Sequence, residues 1–145
     1  MEVGTIDANL LIYAYNNGAL QHFAAKRWLS QVLDSTTQVY LAWSSIQAFV
    51  RIITDERLFK PALTPTEAAN AVESWLAKPN VSILEPGPRY WSIFRGIIER
   101  HNVSGALVTD AHLAALALEH DLTVFSADAD FRLFKGLRLI NPFMT

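Results

Sequence analysis

The sequence predicts an α/β protein, a layered sandwich in which helices cover both faces of a mainly parallel central sheet. Two observations carry this expectation. Short apolar runs with strand character alternate with segments of helical period along the whole chain, the pattern a parallel sheet wrapped by helices produces. Nothing interrupts that alternation. No internal repeat, low-complexity tract or long linker divides the 145 residues, so residues 1–145 are read as a single domain. A chain of that length buries about two-thirds of its unfolded-state surface, and a hydrophobic fraction of 51% supplies the core.

Taken in order, Val3–Asp7 is the first strand, and Leu10–Tyr15 and Ala19–Leu33 are helical. The longer helix carries Phe23, Ala24, Trp28 and Val32 near helical spacing. Gln38–Trp43 is the second strand. Ser44–Thr54 follows as a helix with Ile46, Phe49, Val50 and Ile53 on one side and Ser44 or Ser45 as its cap. The clearest start signal is Thr64-Pro65-Thr66-Glu67, with Thr at the N-cap, Pro at the first helical position and Glu at the third. That helix runs to about Ala77 and stops at Lys78-Pro79. Val81–Leu84 is a strand broken by Glu85-Pro86-Gly87-Pro88, and helix resumes from Arg89 to Arg100. After the loop His101–Gly105 comes an alanine- and leucine-rich helix, Thr109–His120. Thr123–Ser126 is a strand, Asp128–Asp130 an acidic turn, and Leu137–Ile140 the last strand. Trp28, Trp43, Trp75 and Trp91 sit in amphipathic segments and are read mostly as core, with some left to face a partner.

Composition removes several function classes. Without cysteine there is no disulfide framework, zinc knuckle, iron–sulfur ligation or thiol nucleophile. Twelve Lys+Arg against fourteen Asp+Glu, a formal charge of −2, excludes a nucleic-acid binder held by net charge alone. It leaves room for a nucleic-acid enzyme whose acids are concentrated in one site. The N-terminus has no basic targeting region, and no apolar run reaches the ~20 residues that span a bilayer. Ala111–Leu118 is too short and contains His112, so a cytoplasmic protein without a membrane segment is expected. Neither GxxxxGK[ST] nor GxGxxG occurs. His22, His101, His112 and His120 lack the spacing of a zinc-protease helix, and His112 is expected to face outward or cap.

The acids carry the functional signal. Asp7 follows the first strand and either caps the next helix or serves a site. Asp128 follows a later strand in the same way, with Asp130 two residues on, a spacing that an Asx turn also explains. Asp110 opens a helix in line with Leu113, Ala114 and Ala117. An acid in line with a buried stripe costs several kcal/mol unless paired, protonated or metal-bound. The helix dipole returns only about 0.3–1 kcal/mol. A parallel sheet would bring Asp7, Asp110 and Asp128 to one edge, where three carboxylates repel one another. A hard divalent cation relieves that repulsion, and with oxygen ligands alone Mg²⁺ or Mn²⁺ is the natural choice. Such an ion activates water and stabilises the leaving oxygen of a phosphodiester, so hydrolysis needs no side-chain nucleophile.

Ile6-Asp7-Ala8-Asn9-Leu10-Leu11-Ile12-Tyr13, Val108-Thr109-Asp110-Ala111-His112-Leu113 and Val124-Phe125-Ser126-Ala127-Asp128-Ala129-Asp130-Phe131 together resemble PIN-domain proteins, most closely VapC-type toxins of prokaryotic toxin–antitoxin pairs. The likeness extends to Trp43, Phe49-Val50-Arg51, Gly136-Leu137 and Asn141-Pro142. It implies a PIN-like α/β/α sandwich and a Mg²⁺- or Mn²⁺-dependent endoribonuclease. It also implies a homodimer held in check by a VapB-type antitoxin. By the same resemblance Asp7, Asp110 and Asp128 are the catalytic and metal-binding acids and Asp130 a further metal ligand. Ser126 matches a hydroxyl beside the metal and is assigned to substrate. Among the arginines, Arg51, Arg57, Arg89, Arg95, Arg132 and Arg138 are candidates for phosphate grip, and Arg51 is singled out for substrate. One position departs: the family's glutamate before Phe-x-Arg is Ala48 here, and the adjacent Gln47 is neutral and points about 100° away on a helix. That change favours a rival, a catalytically weakened PIN-fold module that binds RNA or antitoxin without cutting. A second rival, phosphoryl acceptance by Asp7, needs a lysine at a later strand end, and the nearest candidate is Lys135. Setting aside Asp7, Asp110, Asp128 and Asp130 leaves ten acids against twelve bases, a mildly cationic surface around an acidic cluster.

Overall fold

The structure is a computed structural model and describes residues 2–144. Strands β1 (Gly4–Ile6), β2 (Val39–Ala42), β3 (Val81–Leu84), β4 (Thr123–Phe125) and β5 (Leu139–Ile140) form one sheet in the order β3-β2-β1-β4-β5. Every pairing in it is parallel. The chain builds outward from β1 to β3 and then returns to the other side of β1 for β4 and β5. The crevice beyond the carboxyl ends of β1 and β4 is therefore a topological switch point, where open α/β sheets place their ligands.

Helices α1 (Ala8–Tyr15), α2 (His22–Leu33), α3 (Trp43–Ile53), α4 (Pro65–Leu76), α5 (Tyr90–Arg100) and α6 (Leu107–Glu119) cover the sheet, with a short 3-10 helix at Ala129–Leu133. Alternation along the strands makes two cores. Val39, Leu41 and Phe125 join Leu10, Leu29, Phe49 and Trp75 on one side. Ala42 and Val124 join Ile97, Leu113, Leu116 and Phe131 on the other. The expected α/β/α layering is the observed one. Gly4 lets β1 lie close to β4, since a Cβ there would sit 2.5 Å from the Thr123 carbonyl oxygen and 2.6 Å from the Phe125 ring.

The capping box forms as expected: the Glu67 N–H donates to Thr64 Oγ1 at 3.1 Å, and the Thr64 N–H donates to Glu67 Oε1 at 2.9 Å. Other boundaries move for local reasons. Asp7 caps α1, so that helix starts at Ala8 rather than Leu10. α2 begins only at His22, after turns through 19–21. α3 springs directly from β2 with Ala42 at its N-cap, so Ser44 and Ser45 lie inside the first turn and do not cap it. The acidic turn continues into the 3-10 helix, capped by Asp128. Of the four tryptophans only Trp75 is fully buried, its indole N–H donating to the Tyr15 hydroxyl at 3.2 Å. Trp28 packs edge-on against Phe125. Trp43 and Trp91 stand exposed because each lies in the first turn of a helix that starts at the sheet's rim.

The loop between β3 and α5 is held from beneath by Glu119, at the last turn of α6. Its carboxylate accepts the Gly87 N–H at 2.7 Å and the Arg89 N–H at 2.9 Å. Position 87 has no room for a side chain, because a Cβ would lie 2.6 Å from Glu119 Oε2. Among the described residues no helix is long and apolar enough to cross a membrane.

Candidate metal centre

Each acid arrives at the switch point by a different route. β1 ends at Ile6, and the Asp7 N–H donates to the Phe125 carbonyl at 2.9 Å, tying the two strand ends together. Asp7 Oδ1 accepts the Ala8 N–H at 2.8 Å as the α1 cap, so the structural reading of this residue holds. Its Oδ2 accepts from Ser126 Oγ at 2.7 Å. Asp128 caps the 3-10 helix, Oδ1 accepting the Asp130 N–H at 2.9 Å in an Asx turn. Asp110 stands in the first turn of α6, with Leu113, Ala114 and Ala117 buried below it.

These carboxylates converge. One oxygen from each of Asp110, Asp128 and Asp130 lies within 4.8 Å of the other two. Asp7 borders this group, its charge acting on Asp110 and feeling that of Asp128. The tight cluster therefore contains Asp130, and Asp7 flanks it. Burial pushes the Asp110 carboxyl up to about 6, and the negative charges of Asp7, Asp128 and Asp130 add to the rise. Burial also raises Asp7, against the hydrogen bonds from Ser126 and the Ala8 N–H, with repulsion from Asp128 on the same side as burial.

Ser126 is the hub behind the acids. Fully buried, its hydroxyl donates to Asp7, accepts the Asp128 N–H at 2.9 Å, and accepts from Asn9 Nδ2 at 3.3 Å. Asn9 Oδ1 is buried with no hydrogen-bond partner. The sequence pattern gives Asn9 no role, although its place two residues after Asp7, in the first turn of the capped helix, is the available signal. The structure does not bring Arg51 to the carboxylates. It lies in the last turn of α3, about 12 Å along the helix from the rim, and its charge acts on Asp55. His112 neither caps nor faces solvent. It is half-buried, shares a hydrogen bond with the Tyr90 hydroxyl, and burial holds its imidazole below the ordinary range. Ala48 is half-buried and Gln47 exposed, so neither adds a charge to the cluster.

The donor set suits a hard divalent cation: three mutually repelling carboxylates, oxygen ligands only, and a site too crowded with negative charge to be content alone. Comparison with known proteins agrees with that architecture. Residues 5–137 match the PIN domain family. The chain belongs to the PIN-domain family. Ribonuclease VapC37 of Mycobacterium tuberculosis is 38% identical to this PIN domain over 137 residues, spanning 94% of this chain and 95% of that protein. Ribonuclease VapC33 of the same organism is 35% identical over 136 residues, with 94% and 95% covered. The VapBC2 crystal structure from Rickettsia felis, bound to a DNA fragment from their promoter, matches at a TM-score of 0.67 and 12% identity. It covers 96% of this chain and 98% of that one. Identity that low speaks for the shared fold alone; the two VapC ribonucleases set this PIN domain among the VapC proteins.

Proposed function

We propose that the protein is a metal-dependent endoribonuclease and the toxin of a VapBC-type pair, hydrolysing RNA phosphodiester bonds at the Asp110–Asp128–Asp130 cluster. The observation that carries this reading is the convergence of those three carboxylates, with Asp7 beside them, at the switch point of the sheet. Asp7, Asp110 and Asp128 are the acids assigned to Mg²⁺ or Mn²⁺, and Asp130 joins them. A bound ion supplies charge neutralisation at the phosphate and lowers the pKa of a water. The protein's own part is placement. Asp110 is held by a packed helix and Asp128 by the 3-10 turn. Ser126 fixes Asp7 and the Asp128 backbone from behind, acting through them rather than on substrate.

A VapB-type antitoxin and a second copy of the chain are the proposed partners, and the cytoplasm the proposed place of action. VapC names among the relatives support the antitoxin, and exposed Leu20, Phe23 and Trp91 supply apolar surface for partners. Against the binding-only alternative that Ala48 favours, the cluster of Asp110, Asp128 and Asp130, which needs nothing from position 48, supports the cleaving reading. Incubating the purified chain with structured RNA and Mg²⁺ or Mn²⁺ tests the proposal. Cleavage is expected, with Asp110→Asn and Asp128→Asn slower by roughly 10²–10⁴-fold, the worth of several kcal/mol. Unimpaired cleavage by both variants would contradict it.

A further inference from the structure

Beside the carboxylates lies a surface cleft of about 460 Å³ lined by Leu107, Ala129, Asp130, Arg132 and Leu133. One wall is the start of α6, a turn before Asp110; the other is the 3-10 helix. Phe131 and Phe134 are sunk into the core and pin that short helix, which leaves Arg132 and Leu133 turned outward on a fixed platform. Leu133 is 44% exposed, and Val108, next to Leu107, is 39% exposed. The core makes no use of this apolar surface. Arg132 stands two residues from Asp130, yet it makes no ion pair among the described residues. A guanidinium next to a carboxylate cluster, paired with none of it, is available to an anion from outside.

We propose that this cleft is a nucleotide subsite for the RNA strand next to the bond that is cut. Leu107 and Leu133 hold one base against apolar surface, and Arg132 grips a flanking phosphate. The inference rests on the ribonuclease reading and names how that site holds its substrate. The volume lies in the range of small-ligand pockets. An apolar floor with a single cation offers a base non-polar contact and a flanking phosphate a guanidinium donor. An acidic peptide fits worse, because it brings carboxylates but no flat base to lie against Leu107 and Leu133. Arg132 also offsets the repulsion that the cluster exerts on an incoming strand.

Arg132→Ala, Arg132→Lys and Leu133→Asn test this, each first shown to melt like the parent chain. The probe is a fluorescein-labelled single-stranded RNA of mixed sequence. Its cleavage is followed with Mg²⁺, and its binding is followed in EDTA across a salt series. KM is expected to rise about tenfold in Arg132→Ala and Leu133→Asn, with kcat within about threefold. The slope of log affinity against log salt should become shallower by roughly 0.7 in Arg132→Ala alone, with Lys restoring it. Parental KM and parental salt slope in Arg132→Ala would overturn the subsite. A parent chain that cuts no RNA, but whose salt slope still depends on Arg132, overturns the ribonuclease reading and supports the subsite.

Discussion

The two ends of α6 each carry an acid, and the fold treats them in opposite ways. Asp110 sits in the first turn, where the helix dipole favours a negative charge. Burial and three neighbouring carboxylates nonetheless push it up to about 6. Glu119 sits in the last turn, where the dipole opposes it, and is only 6% exposed. Burial raises it too, but the N–H groups of Gly87 and Arg89 and the charges of His120 and Arg89 outweigh that, and it ends below the ordinary range. Burial alone does not separate the two; the partners do. A carboxylate recruited to hold a loop is given donors, whereas one gathered with other carboxylates at a strand end is left for a ligand to satisfy.

Substitution at the two ends should therefore move stability in opposite directions. Glu119→Ala strips two buried N–H groups of their acceptor and should lower Tm by roughly 5–10 °C. Asp110→Asn removes a repelled charge and should raise Tm by roughly 2–4 °C in EDTA, after allowing for solvent screening of a half-buried group. Calorimetric melting of both variants decides it; a shift of the same sign in both would break the contrast.

The contrast has a pH signature. Asp110 ionises at about 6 in the fold against 3.8 in a free side chain, so the folded state holds its proton longer. Its contribution to stability is lost as pH rises from about 4 through about 6. Glu119 runs the other way: its contribution is present above the ordinary 4.5 and is lost as pH falls through its lower folded value. Denaturation in EDTA across pH 4–7 should show the parent losing stability relative to Asp110→Asn as pH rises. Parallel curves would contradict the assignment.

The smallest expected effect is at Ser126. Ser126→Ala removes the hydroxyl that lowers Asp7, so Asp7 should rise further. Cleavage should slow by about threefold at neutral pH, with KM for RNA unchanged and the acid limb of the rate profile moved to higher pH. An unshifted profile would make Ser126 merely structural.

Much of this centre was legible in the chain because strand ends and helix starts are local signals. Asp7, Asp110 and Asp128 could be placed at one sheet edge from the alternation of elements alone. Asp130 entered as a turn residue, and its membership of the tight cluster comes from the 3-10 helix that the turn continues into. What stayed hidden depends on contacts between distant segments. Glu119 reads as an ordinary exposed helix end until the Gly87 loop is laid over it. The outward-facing Leu133 beside Arg132 emerges only once Phe131 and Phe134 are seen to take the inward positions. Arg51, proposed from the sequence as a phosphate contact, stands in the last turn of α3, about two turns from that helix's start.

The central claim is that Asp110, Asp128 and Asp130 form a divalent-cation site whose ion displaces the proton held by Asp110. Calorimetric titration of the RNA-free chain with Mn²⁺ at pH 6, in two buffers of different ionisation enthalpy, tests it most directly. The parent should bind Mn²⁺ and release about half a proton per ion, as a group titrating near 6 requires, while Asp110→Asn binds far more weakly and releases none. Equal affinity and equal proton release in the two proteins would contradict it.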